Sequence, residues 1–182
     1  MRVDMHIHTQ ASDGSWSSQE VIENVLEQGI QLFSVTDHDT VAGLPEFLSM
    51  KPVNGLSFLP GVEVCTTCGE QSYHILGYGI QPECEALLKI LRHNTKLLED
   101  KDDECIRKLI AEGMVLDFDE YCRYEYDRKR GGWKALNFLI DKGLCTGVGD
   151  FFARLFTKEK GISFPEFPKP SEVIGAILSA GG

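Results

Sequence analysis

Successive apolar stretches in the first 75 residues each end in histidine or glutamate beside further acid, and this restricts the fold more than any other feature of the chain. The runs are Asp4-Met5-His6-Ile7-His8-Thr9, Thr36-Asp37-His38-Asp39-Thr40 and Gly61-Val62-Glu63-Val64, followed by His74. They hold four of the five histidines. In the first run Val3, Met5 and Ile7 alternate with Asp4, His6 and His8, so a strand turns the apolar set to one face and the polar set to the other. Helical patterns lie between the runs. Ser17 and Glu20 fit a capping box ahead of the stripe Val21, Ile22, Val25 and Leu26, and Gly29 is a natural stop. Further strands are expected over 31–36, 56–64 and 72–78, with a short helix over 44–50 and a turn at Gly69 joining the last two strands. Alternating strands and helices imply a parallel sheet or barrel, in which ligands bind at the carboxyl ends of strands. His6, His8, His38 and Glu63 fall at those ends.

The character changes near residue 83. Leu87, Leu88, Leu91, Leu98, Cys105, Ile106 and Leu109 keep helical spacing across 83–112, and Gly113 ends the run. Helical pieces follow over 117–125, 133–142 and 148–157. Prolines at 165, 168 and 170 make an extended connector, after which Ser171 caps a last helix over 172–179. The expected organisation is a unit at 1–82 carrying the histidine–acid motifs, a mostly helical insertion at 83–168, and a return to the first unit at 169–182.

Composition narrows the function. A chain of 182 residues with 42% hydrophobic content holds one domain, or one domain with an insertion. It has no run of about 18 apolar residues and no leader pattern, so a cytoplasmic protein without a membrane partner is expected. Six cysteines in such a chain read as free thiols. A net charge of −10 argues against a non-specific grip on duplex nucleic acid.

Each candidate residue has a plain structural reading beside the chemical one. His6 and His8 reach a common metal, or are half-exposed strand histidines. Asp13, in Ser12-Asp13-Gly14-Ser15, ligates a second ion or is a turn aspartate. His38 is a ligand or a surface-loop histidine, with Asp4, Asp37 and Asp39 as carboxylates orienting metal-bound imidazoles. Glu63 ends an apolar strand, where an unpaired carboxylate is costly and a cation is a fitting partner. His74 is a ligand or a core histidine. Cys65-Thr66-Thr67-Cys68 is a single C-x-x-C, read as loop cysteines over a zinc knuckle or redox pair. His93 is expected to be exposed on the long acidic helix.

Taken together, H-x-H, S-D-G, T-D-H-D-T-V-A-G, G-V-E-V and S-Y-H-I-L-G-Y resemble the polymerase-and-histidinol-phosphatase (PHP) family of metal-dependent phosphoesterases. The likeness covers residues 1–80 and is greatest to the stand-alone bacterial branch acting on nucleotides and short oligonucleotides. It implies the N-terminal part of a distorted (β/α)7 barrel with a helical insertion over the site, and up to three divalent ions (manganese, iron or zinc). Carried over, His6, His8 and Glu63 bind the first metal, Glu63 and His74 share in the second, and Asp13 and His38 bind the third. Asp13, His38 and Glu63 are then the catalytic carboxylate and imidazole groups. The implied reaction is in-line attack of a metal-bound hydroxide on the phosphate ester of a small molecule, nucleotide or oligonucleotide end. A sugar- or histidinol-phosphate phosphatase and a non-catalytic metal-binding module are the alternatives.

Two departures from the family pattern stand out. The family draws further ligands from a histidine in a run like L-A-H-P and from a later aspartate and histidine. The 182 residues hold no counterparts, so a fragment or a shortened gene product is expected. Where the insertion often carries G-R-P-H-I-A-R, this chain reads Gly131-Gly132-Trp133-Lys134-Ala135-Leu136-Asn137. Arg128, Lys129, Arg130 and Lys134 are candidates for the phosphate contact, and Trp133 or Tyr126 for stacking on a base, against a reading as a solvated basic helix end with core aromatics.

Overall fold

Period-two alternation in the first unit gives a four-stranded sheet in the order β1-β2-β3-β4. A computed structural model describes residues 1–51, 53 and 55–182. Its strands are β1 (Val3–Ile7), β2 (Leu32–Val35), β3 (Ser57–Cys68) and β4 (Gln71–Tyr78). The first three are parallel, joined through α1 (Ser18–Glu27) and α2 (Leu44–Leu48). The capping box forms as expected: Ser17 Oγ accepts the Glu20 N–H, and the Glu20 carboxylate accepts the Ser17 N–H at 2.7 Å. β3 has two roles. Residues 57–60 pair with β2, and residues 61–68 turn to form an antiparallel ladder with β4. That change of partner curls the sheet and lifts Glu63 above the parallel strand ends.

The buried apolar side chains form two cores. One, under the sheet, contains Phe33, Val35, Leu44, Phe47, Val62 and Val64. The other belongs to the insertion and contains Ile106, Leu109, Phe138, Leu139, Phe151 and Leu155. The helix α3 (Glu85–Ala111) serves both: Leu87 and Leu91 pack under the sheet, while Cys105, Ile106 and Leu109 pack in the insertion. The apolar unit of the sheet thus extends past residue 83 into the first turns of α3.

The insertion adds α4 (Phe118–Arg123), α5 (Lys134–Asp141) and the turn α6 (Val148–Asp150), which runs into a π-helical turn at Phe151–Leu155. The wider turn carries the Phe156 N–H to the Phe151 carbonyl and stacks the two rings, with centroids 5.6 Å apart. The last helix, α7 (Pro170–Ser179), starts two residues before the expected 172. Pro170 occupies its first turn, where a missing N–H costs nothing, and Glu172 accepts the Lys169 N–H at 2.8 Å. α7 packs back on β3, β4 and α3. No helix among the described residues is long and apolar enough to cross a membrane.

Candidate metal centre

Alternation along β1 sends His6 and His8 to the face away from the core, and a close chain crossing brings Asp13 to them. A Cβ on Gly14 would sit 2.3 Å from the His8 carbonyl oxygen, so only glycine lets the loop fold against that backbone. The loop is pinned by Asp37, whose carboxylate accepts the Thr9 N–H and hydroxyl at 2.7 Å and the Ser12 hydroxyl at 2.6 Å. Asp13 Oδ1 then lies 2.8 Å from His8 Nδ1. Past β2, the Asp39 N–H donates to the Glu63 carbonyl at 2.8 Å and the Glu63 N–H to the Asp37 carbonyl at 3.2 Å. This short ladder sets His38 beside Glu63.

Glu63 is the hub. Its carboxylate is 5% exposed as a residue and meets three imidazoles: Oε2 lies 2.9 Å from His6 Nε2 and 2.8 Å from His8 Nε2, and Oε1 lies 2.9 Å from His74 Nδ1. His38 Nδ1 stands 3.6 Å from Oε2, and its Nε2 4.0 Å from Asp13 Oδ2. The four rings form a chain: His6 to His8 at 5.0 Å, His8 to His38 at 4.6 Å, and His38 to His74 at 4.8 Å.

Three donor sets emerge, each with ligand atoms within 4.8 Å of one another: His6, His8 and Glu63; His8, Asp13 and His38; His38, Cys65 and His74. In the first, the two Nε2 atoms are only 3.0 Å apart. Bonds of about 2.0–2.1 Å at the tetrahedral angle hold ligand atoms about 3.4 Å apart, so this spacing suits a shared cation. His38 Nδ1 is buried with no hydrogen-bond partner, as a nitrogen waiting for a cation would be. The donor chemistry and the geometry both fit divalent metal.

The electrostatics agree. Burial opposes a proton on His8, but hydrogen bonds to Asp13 and Glu63 outweigh it and push the pKa up to about 9. Burial works against the Glu63 charge, yet hydrogen bonds from His74 and His8 hold its carboxyl far below the usual range. The Glu63 hydrogen bond raises His74, and burial lowers His38. Protons on the imidazoles occupy the place of cationic charge around a fixed carboxylate.

All six expected ligands therefore come together. The three carboxylates expected to orient imidazoles do something else. Asp4 accepts the His6 backbone N–H at 3.3 Å, Asp37 holds the Thr9–Ser12 loop, and Asp39 accepts from the Cys65 N–H at 3.2 Å and Asn94 Nδ2 at 2.7 Å. They fix backbone because β1 and β2 end in loops whose N–H groups need acceptors. The insertion cations do not join the cluster. Arg130 pairs with Asp141 at 2.8 Å, Lys134 Nζ donates to the Cys122 carbonyl at 2.8 Å, and Arg128 lies over the Tyr126 ring at 5.1 Å. Lys129 is exposed. Trp133 packs on Phe151 and Phe152 as a core aromatic.

Sequence reasoning missed Asn94. It is fully buried on α3 and donates to both Asp39 and the Cys65 carbonyl, tying the insertion to the site loop. An asparagine on the Leu87–Leu91–Leu98 stripe was the available signal. It also missed the Gly132 N–H, which donates to the Asp13 carbonyl at 2.7 Å. A Cβ on Gly131, at φ +66°, would lie 2.9 Å from that same oxygen, so the glycine pair lets the insertion dock on the Asp13 loop.

A curled α/β sheet with histidine and carboxylate donors gathered above its strand ends has the donor arrangement of a divalent-metal site. The family follows from the sequence match: residues 4–150 fit the PHP domain, and the chain belongs to that family. It is 29% identical over 182 residues to a 3',5'-nucleoside bisphosphate phosphatase of Chromobacterium violaceum, covering 99% of this chain and 64% of the relative. It is 26% identical over 190 residues to a 5'-3' exoribonuclease of Haemophilus influenzae, covering 100% of this chain and 66% of the relative. A solved amidohydrolase from Chromobacterium violaceum, with bound sulfate and no metal, matches with a TM-score of 0.83 at 28% identity, over 100% of this chain and 65% of that one. The chain thus spans just under two thirds of the length of these proteins.

Proposed function

We propose that this chain carries the metal-binding portion of a metal-dependent phosphoesterase acting on small phosphorylated molecules, with nucleotides and short oligonucleotide ends as the favoured substrates. The observation that carries this is Glu63, a buried carboxylate shared by His6, His8 and His74, with Asp13 and His38 extending the same cluster. Bound divalent metal (manganese, iron or zinc) supplies Lewis acidity and lowers the pKa of water at neutral pH. His6, His8 and Glu63 would hold one ion, Glu63 and His74 would share in a second, and Asp13 and His38 would hold a third. The two relatives named for nucleoside bisphosphates and RNA support the substrate class. The insertion, tied to the site loops through Asn94 and Gly132, would act as a substrate-selecting cap beyond the first turns of α3, which belong to the sheet's core. Arg128, with no carboxylate partner among the described residues, is the cation that meets substrate phosphate. Six free thiols support a cytoplasmic setting.

The test is phosphate release from a nucleoside 3',5'-bisphosphate by chelator-treated protein, with manganese, iron(II) or zinc restored. Metal-dependent release is expected, together with more than one bound metal per chain. Protein that binds metal without turning over any phosphate ester would make it a non-catalytic binding module.

A further inference from the structure

We propose that Cys65 is a thiolate ligand on the His74 side of Glu63, adding sulfur to the nitrogen and oxygen donors there and favouring zinc or another thiophilic divalent ion. The inference rests on the metal-centre reading above and assigns it a ligand of a different chemical kind.

The placement of the thiol follows from strand geometry. β3 continues through Cys68, so Cys65 lies within a strand and not in a loop. It stands two residues beyond Glu63 and therefore on the same face of the pleat. Directly opposed residues of an antiparallel pair also share a face, and the partner of Cys65 in β4 is His74. Sγ of Cys65 and one nitrogen each from His38 and His74 lie within 4.8 Å of one another. Glu63 Oε1, at 2.9 Å from His74 Nδ1, adds an oxygen on that side. Imidazole nitrogen beside a thiolate is a mixed donor set of the kind that holds zinc.

The polar groups around the thiol bear on this. Asp39 is 2% exposed; its Oδ1 is bound to the Cys65 N–H and to Asn94, and its carboxylate also holds the Cys65 thiol proton, which burial and the nearby carboxylates keep on the free sulfur and which a cation would replace. His38 Nδ1 is buried and unpartnered. The backbone of Cys65 is fixed on both sides, its N–H by Asp39 and its carbonyl by Asn94 at 2.9 Å, so the thiol is held in place. Other roles fit less well. Cys68 is three residues on, faces the opposite side and is exposed, so the C-x-x-C does not act as a pair. A redox-sensing thiol needs solvent access, and Cys65 is 6% exposed.

On binding, the S–H bond breaks, the sulfur electron pair forms the bond to the metal, and the proton leaves to solvent. A soft sulfur ligand shifts preference from manganese or magnesium toward zinc, cobalt(II) and iron(II).

Cobalt(II) reports this directly. Chelator-treated chain loaded with cobalt is expected to show a near-ultraviolet thiolate-to-cobalt charge-transfer band, with Cys65→Ser losing the band but keeping visible cobalt absorption from the remaining donors. Zinc affinity of Cys65→Ser should fall by more than the roughly 10- to 100-fold typical of losing an outer hydrogen-bond partner, with manganese affinity little changed. Wild-type protein loaded with zinc should show a sulfur neighbour at about 2.3 Å by X-ray absorption, a measurement that needs no variant. Cobalt bound without the band, or a band that persists in Cys65→Ser, overturns the thiolate ligand and leaves the metal centre standing. A chain that takes up no metal overturns both.

Discussion

Ionisable side chains of the insertion pair off locally, whereas those of the sheet crowd onto one carboxylate. In the insertion Arg130 meets Asp141, Lys142 meets Glu120 at 2.6 Å, Arg154 meets Asp150 at 2.5 Å, and Lys160 meets Glu112. Most such pairs lie at the surface and contribute about 0–1 kcal/mol each. In the sheet three imidazoles share Glu63, with His38 beside them. Paired charges hold a shape; converging donors offer a place for a cation. The difference separates a region selected for packing from one selected for chemistry.

The comparison breaks first at Glu63. Glu63→Gln keeps the shape and removes the charge that the imidazoles share. Phosphate release should fall by more than about 100-fold, the upper end of losing an outer partner, and bound metal should drop by more than one equivalent. Unaltered metal content in that variant would return Glu63 to the role of a structural acid.

Among the described residues the insertion has one buried pair, Lys101 with Asp102 at 2.8 Å. Lys101 Nζ also sits 5.2–5.8 Å from the ring centres of Phe164, Phe156 and Trp133. Burial raises the Asp102 pKa, and Lys101 lowers it in part. Lys101→Met strands that carboxyl and should cost about 3–5 kcal/mol in urea unfolding, while Lys101→Met with Asp102→Leu should recover most of the loss. A single-variant cost below about 1 kcal/mol would equate this pair with the surface ones.

Asn94 joins the two regions. Asn94→Ala leaves Asp39 and the Cys65 carbonyl without their donor, at a cost of about 1–3 kcal/mol. Because the Asp39 loop also positions His38, metal affinity should fall about 10- to 100-fold. Stability lost without any change in metal binding would confine Asn94 to packing.

Without metal, the charge network itself should respond to pH. The His8 pKa is raised from 6.5 to about 9, so its contribution to stability is full below pH 6.5 and is lost as pH rises through about 9. Glu63 is depressed from 4.5, so its contribution is present above that value and lost on acidification. In chelator the melting temperature should therefore fall by a few degrees between pH 6.5 and 9. Saturating metal should remove that decline, because it takes the place of the imidazole protons. Parallel curves with and without metal would separate the protonated network from the metal site.

The same contrast explains what the sequence revealed. His6, His8, His38 and Glu63 were legible because period-two strands turn alternate residues to one face and βα order fixes where strands end. The α1 capping box was legible because it is a local device. Cys65 was not, since extending β3 to Cys68 depends on pairing with β4, a tertiary event that the apolar pattern through Val64 does not encode. The roles of Asp37 and Asp39 were misread for a similar reason: adjacency to His38 in sequence suggested an imidazole partner, while the folded loops offered nearer N–H donors. The insertion's cations looked free until Asp141 and Cys122 were brought beside them.

The smallest expected effect sharpens the comparison inside the insertion. Arg128 and Arg130 are two residues apart, yet Arg130 is bound to Asp141 while Arg128 has only the Tyr126 hydroxyl, at 3.0 Å, and ring. Tyr126 in turn donates to the Gly132 carbonyl at 2.9 Å, one residue's backbone from the Asp13 loop. A guanidinium held there on an aromatic face keeps its planar fork available for phosphate. Arg128→Ala should raise KM for a nucleoside bisphosphate several-fold with kcat nearly constant, the signature of lost uniform binding. Arg130→Ala should leave both constants alone and cost at most about 1 kcal/mol of stability. Equal kinetic effects from the two variants would mean that the insertion acts through its overall charge, and a KM change from Arg130 alone would place the phosphate on the α5 side of the cap.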